Sequence, residues 1–126
     1  MYLLPQIIEL NLYDNDIKEL PESIGLLNSL EVLIMPNNNI TILPESFKKL
    51  SSLKKLDLSW NDITILPEWI NVLSSLEELN LRGKKLLKLP HSMSSIQSLR
   101  SLNVSLNKVI IQIPEDLKNK GLHIIK

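Results

Sequence analysis

His91 and His123 are the only imidazoles in this 126-residue chain, and acid–base chemistry near neutral pH would start with them. A serine hydrolase would need one of them within hydrogen-bond reach of a hydroxyl. His91 follows Pro90 in a segment expected to be helical, and His123 lies near the end of the chain, so the two should not converge on one site. The many serines have no identifiable base. The paired carboxylates Glu77 and Glu78 are adjacent on a predicted strand and point at least partly to opposite faces, which spoils them as an acid/base couple. Three scattered glycines cannot form a phosphate-cradling loop. With no cysteine, disulfides, thiolate zinc sites and cysteine nucleophiles are excluded. The sequence therefore predicts no enzyme, no cofactor and no metal site.

Composition narrows the partners. Lys+Arg and Asp+Glu both number 14, so the formal net charge is zero. That balance argues against capture by bulk charge, as on duplex DNA or an anionic membrane. No basic stripe with interleaved aromatics is present, so nucleic acid is not an expected partner. The doublets Lys48-Lys49, Lys54-Lys55 and Lys84-Lys85 read as solvated faces. The apolar start of the chain has no basic leader and is broken early by Pro5, so it does not read as a secretory signal. No apolar run approaches the ~20 residues that span a bilayer. The expected location is cytoplasmic, which the absence of cysteine fits. The acceptor-like triplets Asn39-Ile-Thr41 and Asn103-Val-Ser105 then read as accidental.

The chemistry that the spacing does support is display on a repeating lattice. Pro21, Pro44, Pro67 and Pro90 lie 23 residues apart, each preceded by a leucine, and Pro114 follows one residue late after Ile113. Asn15, Asn38, Asn61 and Asn107 keep the same period, and Lys84 stands where one more asparagine is due. The units run 7–29, 30–52, 53–75, 76–98 and 99–121, with residues 1–6 and 122–126 as caps. The third unit gives the pattern most clearly, with anchors Leu53, Leu56, Leu58, Asn61, Ile63, Leu66, Pro67, Ile70 and Leu73. A sustained period of this length marks a stacked solenoid, in which no single unit can bury its apolar face alone.

This pattern resembles the leucine-rich-repeat family, specifically its 23-residue subclass with Leu-Pro-x-x-Ile in the second half, over roughly residues 7–117. The resemblance implies an α/β fold: a right-handed solenoid with a concave parallel sheet and short helical or 3₁₀ segments on the convex side. It also implies that each asparagine buries its amide against the backbone of adjacent turns. Lys84, a donor only, cannot reproduce that pairing, so the fourth turn should be irregular. The subclass is typical of intracellular proteins, including Ras-associated scaffolds, which points by analogy to an adaptor in signalling and to a small-GTPase-type partner.

The residues themselves say what each element must do. The L-x-L segments alternate with period two, as strands with one buried face do. Proline suits a first helical position because its missing N–H would be unpaired there. A glutamate follows it at 22, 45, 68 and 115. Phe47, Ile70 and Met93, with Leu50, Leu73 and Ile96, should pack inward. Trp69 should lie partly packed on the convex side. The periodic serines 29, 52, 75 and 98 read as structural, in turns or backbone bonds.

Function should then lie in the side chains facing away from the core. The position between the two strand leucines holds Asn11, Ile34, Asp57, Asn80 and Asn103; the next outward position holds Tyr13, Pro36, Ser59, Arg82 and Ser105; the strand exit holds Asp14, Asn37, Trp60, Gly83 and Leu106. Tyr13, Ile34, Pro36 and Trp60 are apolar where the core does not require it, and Arg82 is near them. Aromatics and arginine are the commonest anchors of protein interfaces. The predicted protein-binding set is Tyr13, Ile34, Pro36, Asp57, Trp60, Asn80, Arg82 and Asn103. Two rival expectations are self-association through incompletely capped solenoid ends and service as the recognition arm of a larger effector or enzyme.

Overall fold

A computed structural model describes residues 6–83 and 85–126. Six three-residue strands form one parallel sheet in chain order: β1 Glu9–Asn11, β2 Val32–Ile34, β3 Lys55–Asp57, β4 Glu78–Asn80, β5 Ser101–Asn103 and β6 His123–Ile125. The register is one repeat per rung, so Leu10, Leu33, Leu56, Leu79 and Leu102 are successive partners and Ile124 closes the row. Parallel neighbours in chain order require a crossover between every pair, and each crossover carries a short turn on the side opposite the sheet.

Four of those turns are five-residue 3₁₀ segments, Glu22–Leu26, Glu45–Lys49, Glu68–Val72 and His91–Ser95. The fifth crossover carries a four-residue α-helical turn, Glu115–Lys118. The prolines do not occupy the first helical position. They stand one residue earlier, in extended backbone with ψ near 150°, and their carbonyls accept the first turn bond from Ile24, Phe47, Ile70 and Met93. The fixed proline φ suits that extended cap as well as a helix start. The glutamates that follow act locally: Glu45 pairs with Lys48 at 3.7 Å and Glu115 with Lys118 at 3.2 Å.

The core is a set of periodic stacks between sheet and turns. Leu30, Leu53 and Leu76, then Leu33, Leu56 and Leu79, then Phe47, Ile70 and Met93 are all buried, as are Leu50, Leu73 and Ile96. Burying each such side chain contributes roughly 1.5–3 kcal/mol, so the stacks, and not the short strands, hold the coil together. Trp69 is half-buried against this core, with the Lys48 ammonium 5.9 Å from its ring.

The asparagine ladder is present at three positions. Asn61 accepts the Ile40 N–H through Oδ1 and donates Nδ2 to the carbonyls of Met35, Leu58 and Ser59. Asn38 and Asn107 repeat the arrangement. Asn15 departs from it: its side chain is exposed and, among the described residues, bonds only the Tyr13 carbonyl. Lys84 lies outside the described residues. Beside it, Leu87 N–H pairs with the Thr64 carbonyl, whereas the preceding repeats pair Asn39 with Ile17 and Asp62 with Ile40.

The late Pro114 also has a structural consequence. One extra residue between Asn107 and Pro114 shifts the inward phase, so Ile111 and Ile113 are buried while Val109 is exposed and Ile110 stands 95% exposed. The recurring serines tie successive repeats: Ser75 Oγ donates to the Ser51 carbonyl, Ser98 Oγ to Leu76, and Ser29 Oγ to Gln6.

Candidate functional site

The outer face of the sheet presents three parallel columns, each advancing one repeat per rung. The central column, Asn11, Ile34, Asp57, Asn80 and Asn103, continues at Ile125. All four of its polar members are partly committed. Oδ1 of Asn11 accepts the N–H of Tyr13, that of Asp57 the N–H and hydroxyl of Ser59, that of Asn80 the N–H of Arg82, and that of Asn103 the N–H and hydroxyl of Ser105. Each is a side-chain turn that holds its own strand exit. The exception explains itself. Pro36 has no N–H to satisfy, and Ile34, two residues before it, is the one member among the first five without a side-chain oxygen. An apolar contact on that rung costs no turn bond.

Ser59 is 5% exposed and turned onto Asp57, so the expected outward position is closed on that rung. Tyr13 is 59% exposed in the first repeat, and Pro36 is half-buried in the second. Trp60 and Arg82 are brought together, with the guanidinium carbon 6.0 Å from the indole centroid. No contact joins Tyr13 to that pair among those the structure records. Over β3–β6 the face encloses a shallow hollow of about 260 Å³ that includes Lys55, Asp57, Asn80, Asn103 and Ile125.

The strand exits carry a conformational signal that residue type alone conceals. Asp14, Asn37, Trp60, Gly83 and Leu106, one per repeat, all have positive φ, between 56° and 89°. Their N–H groups are what fixes them: those of Asp14, Asn37, Trp60 and Gly83 each bond a carbonyl of the following repeat, those of Pro36, Ser59, Arg82 and Ser105. Asp, Asn and Gly tolerate this backbone, whereas Trp60 and Leu106 bear a cost of roughly 1–2 kcal/mol each. Trp60 nevertheless holds its place, 37% exposed, with its ring over the Gly83 turn. Strained residues retained against a cheaper alternative concentrate at binding sites.

One further feature lies in the residue types just before the strands. Glu31, Lys54, Glu77 and Arg100 alternate in sign at the repeat spacing just before the strands. They pair as Glu31–Lys54 at 3.4 Å and Glu77–Arg100 at 4.0 Å, while Lys55 meets Glu78 on the adjacent column at 3.7 Å. Another is a set of exposed apolar side chains between the asparagine turns and the prolines, Ile42 and Ile65 at one repeat position and Leu87 and Ile110 one place earlier. Among the described residues, no three His, Asp or Glu side chains stand close enough to share a metal ion, and no helix is long and apolar enough to cross a membrane.

A family model for the leucine-rich repeat region matches residues 4–120, nearly the whole chain. The chain belongs to the leucine-rich-repeat family. Solved structures agree on the coil. A leucine-rich-repeat protein of Leptospira interrogans superposes with a TM-score of 0.72 at 28% identity over 94% of this chain. An internalin of Listeria monocytogenes gives 0.75 at 23% over 94%, and the leucine-rich-repeat ectodomain of the receptor kinase SOBIR1 from Arabidopsis thaliana gives 0.68 at 22% over 92%. The chain spans 36% of the Leptospira protein, 34% of the internalin and 66% of the receptor ectodomain. No curated protein matches it. Leucine-rich-repeat domains are in general non-catalytic modules that bind proteins.

Proposed function

We propose that this leucine-rich-repeat chain is an adaptor that holds a protein partner on the outer, concave face of its sheet. The observation that carries the reading is Trp60, a large aromatic kept partly exposed in left-handed backbone at a position where Asp14, Asn37 and Gly83 serve the fold more cheaply. The surrounding face supports it. Hydrogen bonds fix the strand exits before any partner arrives, so binding orders little that is not already ordered. Ile34 and Pro36 extend the apolar part of the face, and Asn80 and Asn103 keep their amide N–H groups for a partner.

The proposal includes a cytoplasmic location, which the cysteine-free composition fits. It also includes a signalling role with a small-GTPase-type partner, supported only by analogy with the 23-residue Leu-Pro-x-x-Ile subclass that the repeats resemble. The test is affinity capture from native extract with wild type and with a Tyr13→Ala, Trp60→Ala, Arg82→Ala triple variant. Loss of a specific partner from a variant that still folds supports the concave site, and undiminished capture refutes it.

A second reading, self-association through the coil end, is favoured by one observation. Ile110, in the last repeat, and Ile125, on β6 itself, are exposed apolar side chains. Under that reading, size rises with concentration and the rise disappears in Ile125→Lys, while the triple variant leaves it unchanged.

A further inference from the structure

We infer that the partner segment seated on this face carries an acidic side chain, aspartate or glutamate, next to an apolar one, with the carboxylate on Arg82 and the apolar group on Trp60. The inference rests on the concave-face reading and goes further by naming the chemistry of the occupant.

The charge pattern makes the case. Among the described residues, four cations lie along the sheet face and its entrance: Lys54, Lys55, Arg82 and Arg100. Three are neutralised by a carboxylate of the neighbouring repeat, Lys54 by Glu31, Lys55 by Glu78 and Arg100 by Glu77. Among the described residues Arg82 has no carboxylate partner, and its guanidinium rests near the Trp60 indole instead. Acids on the same face are engaged elsewhere: Asp57 accepts from Ser59, Asp14 accepts from Asn37, and Glu78 pairs with Lys55.

The backbone of Arg82 is also fixed. Its N–H is held by Asn80 Oδ1 at 3.0 Å and its carbonyl by the Trp60 N–H at 2.8 Å. A guanidinium held near an aromatic ring by a cation–π contact still has its N–H groups available. Those groups match the two oxygens of a carboxylate, and the ring edge offers the adjoining apolar contact. Gly83 completes the arrangement, because its missing side chain is what lets the indole settle beside Arg82.

The test is a selection of short random peptides, displayed inside a carrier protein so that only side-chain carboxylates are offered. It is run on wild type and on Arg82→Glu, with folding of each variant checked by circular dichroism. Wild type is expected to enrich Asp or Glu beside Phe, Leu or Ile, and Arg82→Glu to lose that preference. In the best peptide, changing the acid to its amide should weaken binding by about tenfold or more, the scale of a hydrogen bond to a charged group. Arg82→Gln should weaken the acidic peptide equally and leave the amide version unchanged, whereas Arg100→Gln, a cation already paired, should change neither.

Peptides that lose binding in Ile34→Asp but carry no required acid, or ignore Arg82→Gln, overturn this inference and leave the concave-face reading intact. Peptides indifferent to both Ile34→Asp and Arg82→Gln, or a selection yielding no binder, count against both.

Discussion

The Trp60 indole fills the space that a side chain at Gly83 would need. A Cβ built on Gly83 would stand 2.4 Å from Cε3 of that ring and 2.6 Å from Cδ2. The two residues occupy the same place in successive repeats, so the largest side chain at the strand exit is accommodated by the smallest. Both also have positive φ, 56° and 89°. Gly83 thus supports the partly exposed tryptophan by being absent as a side chain, and what happens at one position should be read out at the other.

Gly83→Ala is expected to lower stability by roughly 1–2 kcal/mol, because alanine is strained at this φ and the ring must move aside. The movement separates this from a simple backbone penalty. In a Trp69→Phe background, Trp60 emission should shift to the red as its ring leaves the turn, and urea unfolding should show the lower midpoint. An unshifted spectrum would mean the ring does not rest on Gly83.

The asparagine ladder yields a graded expectation. Asn61 is buried with four hydrogen bonds, whereas Asn15 is exposed with one side-chain bond of its own. Asn61→Ala leaves backbone groups of two repeats unpaired and should cost roughly 2–4 kcal/mol, while Asn15→Ala should stay within about 0.5 kcal/mol. Chemical denaturation of the two variants decides it, and equal losses would show that the ladder does not act through burial.

Much of the coil was legible because solenoids are periodic. The proline spacing gave the repeats, the leucines gave the inward stacks, and Asn38, Asn61 and Asn107 took their ladder places. What escaped depends on neighbours in space. Asn15 carries the repeat signature yet lacks a buried setting. Ser59 sits at a nominally outward position and turns onto Asp57. The left-handed backbone at the strand exits could have been suspected from Asp14, Asn37 and Gly83, but Trp60 and Leu106 at the same spacing disguised it. The sequence placed Trp60 and Arg82 in one anchor group with Tyr13, Ile34 and Pro36, while their pairing and the isolation of Arg82 among neutralised cations emerged only with the distances.

Asp57 tests whether the central column serves the fold or the partner. Its Oδ1 accepts both the N–H and the hydroxyl of Ser59 at 3.0 and 2.6 Å. Asp57→Ala should therefore cost roughly 1–2 kcal/mol, since it orphans a buried serine. Asp57→Asn should be nearly neutral in thermal unfolding, because Asn80 and Asn103 make the same turn with an amide oxygen. If the two variants fall together, the charge of Asp57 matters and the turn account is wrong.

Ser46 offers a change in the opposite direction. Its hydroxyl is buried and has no hydrogen-bond partner, and its backbone and Cβ press so close to Gly25 that a side chain there would meet the Ser46 carbonyl at 2.6 Å. Removing the hydroxyl removes an unpaid desolvation and keeps the Cβ that fills the contact. Ser46→Ala is expected to raise stability by up to about 1 kcal/mol. Gly25→Ala, on the other side of the same contact, should lower it by roughly 1–3 kcal/mol through overpacking between the first two 3₁₀ segments. Paired urea titrations measure both. A destabilised Ser46→Ala would mean that the hydroxyl has a partner, such as an ordered water, and that this contact is held by polarity as well as by close packing.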